Sequence, residues 1–220
     1  MQLREGVFFC IANRQVVLLD LPADRYFALP ARADAAFQRL AAGAAVSDET
    51  RSCLEALLAQ GLLIDEPRSS PLLAHEVATP QTALVWNCSA RPKSVDLVRG
   101  WITYQSTALR FQHRPLAHWI GKIAGRKCAA TDRSCLFDLS ACADQCNAFY
   151  TIRKIAPSRD LCLPWSIALV DYLAKADIYP QLVLGVRMKP YGAHAWVQAG
   201  NTVLNDEPDH VRRFTPILVV

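Results

Sequence analysis

Between residues 7 and 29 the apolar side chains come in short, nearly unbroken runs, each too brief for a helix. Residues 7–12, 16–21 and 25–29 each fit a strand, and Asn13-Arg14 and Pro22-Ala23-Asp24 supply the turns of a small β meander. The period then changes. Ala33, Phe37, Leu40 and Ala41 recur at helical spacing, and Gly43 ends that helix. Ser47 is a good N-cap for a second helix, with Asp48 and Glu49 in its first turn and Cys53, Leu54, Leu57 and Leu58 on its apolar side. Gly61 stops it, and residues 62–65 read as a short strand or extended exit.

Pro67-Arg68-Ser69-Ser70-Pro71 has linker composition, so the chain divides into a module at 1–66, a linker at 67–71 and a larger domain at 72–220. Residues 72–157 read mainly as helix: Leu97, Trp101, Tyr104, Leu109, Leu116, Trp119, Ile120 and Ile123 recur at three- and four-residue steps over much of the span. Gly125-Arg126-Lys127 and Ala130-Thr131-Asp132-Arg133 interrupt that stripe as a loop. His113 and His118 read as surface or partly buried helix residues. Residues 161–176 are apolar on nearly all sides, the pattern of a central buried helix, with Ser158 or Asp160 as its cap and Pro164 tolerated only in its first turn. Two strands follow at 181–187 and 193–198. Ala199-Gly200-Asn201 then turns the chain into a third short strand at 202–204.

Composition narrows the class. Hydrophobic residues at 52% and charged residues at 20% describe a soluble globular protein. A net charge of +4, with basic residues scattered in short pairs, offers no stripe for nucleic acid. No apolar run approaches a membrane span, and the first residues lack a secretory profile, so the eight cysteines are read as reduced thiols in the cytoplasm. Cys128, Cys135, Cys142 and Cys146 lack the close Cys-x2-Cys pairs of zinc sites, and their seven- and four-residue steps suit packing on a helix face. Neither a metal nor a cofactor is expected, and no phosphate-cradling loop is present.

The chemistry converges on three residues. Cys162 falls in the first turn of the central helix, where the helix dipole favours thiolate. His194 lies in a strand with Trp196 and Gln198 on its face, and Asp206 follows the next short strand, where a tight hairpin returns it beside His194. That order supplies a nucleophile, a base and an orienter for the base. Asp209 and His210 are substitutes should Asp206 point away. Each residue also has a structural reading: a buried inert thiol, a packed strand histidine, a turn carboxylate.

Two stretches resemble known families. Leu19-Asp20-Leu21 followed by Arg25-Tyr26-Phe27-Ala28-Leu29 resembles the peptide-recognition elements related to the small chaperone of pyrroloquinoline quinone biosynthesis. Cys162-Leu163-Pro164-Trp165-Ser166, Leu184-Gly185-Val186-Arg187, His194-Ala195-Trp196-Val197 and Asp206 resemble the transglutaminase-like cysteine peptidases of lasso-peptide biosynthesis, in which Trp165 stands where relatives often carry Arg. The resemblance implies an α+β chain: a winged-helix-like recognition module followed by a transglutaminase-like, papain-like protease domain. It implies leader binding by β-augmentation along Arg25, Tyr26, Phe27, Ala28 and Leu29. It also implies hydrolysis of the leader–core bond by Cys162, His194 and Asp206. The implied partners are a ribosomal precursor peptide and a separate ATP-dependent, asparagine synthetase-like cyclase, with neither nucleic acid nor membrane. Acyl transfer to an amine by the same triad, a non-catalytic leader chaperone, and a cysteine-rich metal-binding protein remain open at this point.

Overall fold

Asn13 and Arg14 both adopt positive φ, 51° and 65°, which gives a tight turn matched to the twist of the strands it joins. The computed structural model describes residues 1–66, 72–84, 92–131, 139–155 and 162–220. The expected linker at 67–71, the helix caps Ser158 and Asp160, and Cys135 lie outside them.

The first strands are β1 (Gln2–Leu3), β2 (Val7–Ala12), β3 (Gln15–Asp20) and β4 (Arg25–Ala28). β2, β3 and β4 form an antiparallel sheet in that order, so β4 is an edge. The expected strand at 25–29 ends one residue early, because Leu29 is buried and turns into the core. Helices α1 (Ala31–Ala41) and α2 (Asp48–Ala59) follow, and the Ser47 hydroxyl accepts from Thr50 N–H as an N-cap should. β5 (Leu63–Ile64) returns to pair with β1, a pairing too short to leave a sequence signal.

Alternation along β2 and β3 explains how this module is held. Val7, Phe9, Val16 and Leu18 point toward Phe37, Leu40, Leu54 and Leu57 of the two helices. Cys10, Ala12, Val17 and Leu19 point the other way and join the main core of the chain. Their opposite number is β10 (Thr215–Val219), which packs against β2 and β3. A sheet covered on both faces reads as the continuous apolar runs seen in the sequence. Fully burying Val17 and Leu19 contributes about 1.5–3 kcal/mol each to this junction.

The larger part has α3 (Ser94–Phe111), α4 (Leu116–Thr131), α5 (Leu139–Ile155) and α6 (Cys162–Ala174). A five-stranded sheet runs in the order β10, β7 (Gln181–Met188), β8 (Tyr191–Ala199), β9 (Thr202–Val203), β6 (Thr82–Ala83). α6 contacts α3, α4 and α5 as well as β7 and β8, the central place its sequence suggested. Among the described residues, no helix is long and apolar enough to cross a membrane.

Three expectations need correction. Residues 72–81 are not helical but run extended to β6, anchored where Gln198 Nε2 donates to Ala78 O (2.6 Å) and Val219 N–H to His75 Nδ1 (3.1 Å). α4 continues through Gly125-Arg126-Lys127 to Thr131, because Arg126 is pinned one turn beyond Lys122 on the same carboxylate, Asp171. On α3, Trp101 and Leu109 face outward. The inward face is Gly100, Thr103, Tyr104 and Thr107, since a Cβ at Gly100 would lie 2.5 Å from Ile152 Cδ1. α6 is buried as its apolar pattern implies, and it carries two polar residues, Ser166 and Asp171, into the core.

Asp171 takes Lys122 Nζ at 2.8 Å, Arg126, and Lys175 Nζ at 3.6 Å. Burial pushes its carboxyl up, but the Lys122 hydrogen bond and the surrounding cations outweigh that and hold it below the usual range. Asp171→Asn leaves three cations facing one amide. Because those cations are partly solvated, the expected loss is roughly 1–3 kcal/mol, read as a lower urea midpoint at unchanged m-value.

Candidate active site

β7 and β8 pair so that Gly185 lies opposite His194. A Cβ at Gly185 would stand 2.8 Å from Trp196 Cζ3, so glycine lets the Trp196 ring lie across the strand. Trp196 and Phe214 in turn flank the His194 imidazole, with ring centroids at 6.1 and 5.0 Å. The imidazole is thereby fixed in plane before any polar contact is counted.

Its polar contacts then set its function. His194 Nε2 meets Asp206 Oδ2 at 2.5 Å, so Nδ1 is the nitrogen left for Cys162, to which His194 is also hydrogen-bonded. Burial lowers the His194 pKa, yet the Asp206 and Cys162 hydrogen bonds and charges raise it to about 9. Burial likewise pushes the Cys162 thiol up. Hydrogen bonds from His194 and from the Ala195 and Leu163 N–H groups outweigh burial and bring the thiol below its ordinary value. Asp206 is lowered to about 2, because His194, His210 and the Glu207 N–H together outweigh its desolvation. The opposed shifts on sulfur and imidazole favour a thiolate–imidazolium pair.

Asp206 reaches His194 through a buried polar brace. Asn205 Oδ1 accepts from Val197 N–H (2.8 Å), Asn205 Nδ2 donates to Ser166 Oγ (2.8 Å), and Ser166 Oγ donates to Ala195 O (3.0 Å). Arg153 Nη1 adds a bond to Asn205 O at 3.1 Å. One chain of bonds thus ties α6, which carries Cys162, to β8, which carries His194, and to the loop that carries Asp206. The sequence reading assigned no role to Ser166 or Asn205. The available signal was a hydroxyl inside an otherwise apolar helix segment.

The remaining site expectations sort as follows. His210 Nδ1 sits 2.9 Å from Asp206 Oδ2, so it is a second partner of that carboxylate, while Asp209 turns away to Arg212 (2.7 Å). Trp165 is buried against Tyr104 and Phe149, with centroids at 4.7 and 4.5 Å, so it fills core instead of facing a substrate. Cys142 and Cys146 lie one helical turn apart and buried, with sulfurs 3.8 Å apart, whereas Cys128 is exposed. On β4, Tyr26 is packed against the main core, and burial together with Asp24, Tyr191, Cys162 and Cys10 holds its hydroxyl un-ionised. The edge strand of the first module therefore borders the neighbourhood of Cys162.

A helix-start cysteine, a strand histidine and a carboxylate behind it form the constellation of a papain-like or transglutaminase-like enzyme. Residues 107–219 match the transglutaminase-like superfamily, and the chain belongs to it. Over 48 residues the chain is 44% identical to the microcin J25-processing protein McjB of Escherichia coli. That stretch is 22% of this chain and 23% of McjB, so the match spans about a quarter of the relative's length. No solved structure gives a significant match.

The shifts at the site make stability depend on pH. His194 is raised from 6.5 to about 9, so its contribution is complete below pH 6.5 and disappears as pH rises through 9. Asp206 is lowered from 3.8 to about 2, so its contribution is complete above pH 3.8 and disappears as pH falls through 2. Urea unfolding should show a plateau between those limits and a loss of about 2–3 kcal/mol from pH 6.5 to 9. Asp206→Asn should shrink that alkaline loss.

Proposed function

We propose that this chain is a cysteine peptidase that processes a lasso-peptide precursor. It binds the leader through the 1–66 module and hydrolyses the leader–core bond with Cys162 as nucleophile, His194 as base and then acid, and Asp206 as orienter. The observation that carries this reading is the continuous line from the Cys162 thiol through His194 to Asp206. The partial likeness to a microcin-processing protein supports the substrate class.

The mechanism follows from the groups present. The thiolate attacks the scissile carbonyl carbon, forming a C–S bond. Leu163 N–H and Ala195 N–H stand beside the sulfur and are placed to meet developing negative charge. His194 Nδ1 gives its proton to the departing core amine as the C–N bond breaks. Water, deprotonated by the now neutral His194, then hydrolyses the thioester and releases the leader. Freed core peptide passes to a separate ATP-dependent, asparagine synthetase-like cyclase. The reaction needs no metal or cofactor.

Delivery is the task of β4. Leu29 N–H bonds Val16 O (3.1 Å), so two-residue periodicity directs Phe27 and Arg25 toward β3 and leaves the N–H and C=O of Tyr26 and Ala28 on the outer edge. A leader strand added there lies beside Cys162, at high effective concentration. The test is mass spectrometry of a candidate precursor incubated with wild type and with Cys162→Ala, with and without the cyclase. Cleavage at one bond that vanishes in the variant while leader binding persists is expected. Undiminished cleavage by Cys162→Ala would refute the assignment, and tight binding without cleavage by wild type would leave a leader chaperone.

A further inference from the structure

Among the described residues, His194, Asp206 and His210 are the one cluster of His, Cys, Asp and Glu groups suited to hold a metal ion, with ligand atoms all within 4.8 Å of one another. His194 and Asp206 have a role in the proposed chemistry; His210 does not need to be there for it. The short helix α7 (Pro208–Val211) brings His210 back over the carboxylate, and its ring stands edge-on to His194 with centroids 4.8 Å apart. Glu207 N–H occupies Asp206 Oδ1 at 2.7 Å. Oδ2 is left between two imidazole nitrogens, His194 Nε2 at 2.5 Å and His210 Nδ1 at 2.9 Å.

We propose that these three side chains form a zinc site superimposed on the base–orienter pair, through which zinc reversibly blocks the site. Two imidazoles and one carboxylate with an open fourth position are a donor set suited to zinc. In a tetrahedron of zinc–ligand bonds near 2.0–2.1 Å, neighbouring donors stand about 3.3 Å apart. To admit the ion the Asp206 oxygen therefore retreats by less than roughly 1 Å, and the two imidazole nitrogens, which stand within 4.8 Å of each other, close to that same spacing. The His210 side chain is 42% exposed and supplies the way in.

Binding exchanges a proton for the metal. Zinc takes the lone pair of His194 Nε2, releasing the proton held there, and His210 Nδ1 coordinates as the neutral imidazole. His194 then keeps its only proton on Nδ1, the nitrogen facing Cys162. It still donates to the thiolate, but it no longer gives that proton readily to the departing amine, because doing so would leave an imidazolate. The blockade of cleavage rests on the peptidase reading above, whereas the metal binding does not.

Cobalt(II), a spectroscopic stand-in for zinc, separates the two. The full chain, Cys162→Ala, His210→Ala and His210→Gln are titrated with cobalt and followed by visible absorption, with circular dichroism to verify folding. Wild type and Cys162→Ala are expected to bind with the spectrum of nitrogen and oxygen ligands and no thiolate charge-transfer band. Both His210 variants should bind at least about tenfold more weakly, since losing even an outer partner of a ligand costs about 10–100-fold. A thiolate band that disappears in Cys162→Ala would place the ion on Cys162 and His194 and overturn the proposal, as would no binding by folded wild type. Zinc inhibition of precursor cleavage, relative to each variant's own zinc-free rate, should weaken in parallel in His210→Gln. Inhibition of equal strength in that variant would equally overturn it. If no cleavage is found under any condition, the peptidase reading fails and the cobalt titration still decides the site.

Discussion

His194→Ala should lower precursor cleavage by at least about a thousandfold and, in the same protein, quench the reactivity of Cys162. The two effects have one cause. In the wild type the thiol lies below 9.0 because His194 and two backbone N–H groups outweigh its burial. Removing the imidazole takes away the strongest of those opposing contributions, and burial remains. The thiol then rises from its lowered value, because burial is opposed only by the two backbone N–H groups, and less of it is thiolate at pH 7. Alkylation of Cys162 by iodoacetamide at pH 7 reads this directly, with Cys162→Ala as the background from exposed Cys128. A mutant that alkylates at the wild-type rate would mean that the helix start alone activates the sulfur. Asp206→Asn should fall between the two, since it keeps the imidazole and loses the charge behind it.

Ala28→Pro should weaken leader binding by roughly tenfold or more while leaving Cys162 alkylation unchanged. Ala28 is exposed, and its N–H points off the edge of β4, so proline removes a donor that none of the described residues uses. An incoming strand loses that hydrogen bond, worth about 0.5–1.5 kcal/mol, and meets the proline ring where it would pack. At subsaturating precursor the cleavage rate should fall with affinity, and at saturation it should recover. Calorimetric titration with a leader peptide, beside cleavage of the full precursor, checks both. Wild-type affinity in Ala28→Pro would remove β4 as the leader's docking edge. Tyr26 is a poorer place for the same test, because its side chain packs on the shared core near Cys162, and changing it disturbs both sites.

The sequence by itself determined what is local. Strand runs at 7–12 and 181–187, the Ser47 cap, the helix that carries Cys162 and the Gly200-Asn201 hairpin depend on propensities and turn chemistry within a few residues, and each is found among the described residues. The pairing of His194 with Asp206 was legible for the same reason: a short hairpin leaves little freedom in where Asp206 falls. Only the tertiary structure decided the rest. α4 runs through Gly125-Arg126-Lys127 because Asp171, 45 residues from Arg126, holds that turn. Residues 72–81 run along the sheet because sheet groups far along the chain donate to them. β10 seats the first module against the second, and the Ser166–Asn205 brace aligns the thiol with the imidazole. Each of these joins residues tens to more than a hundred positions apart. Such contacts form only when loop closure is repaid by burial in a common core, and hydrophobic period carries no record of which distant partner will share it.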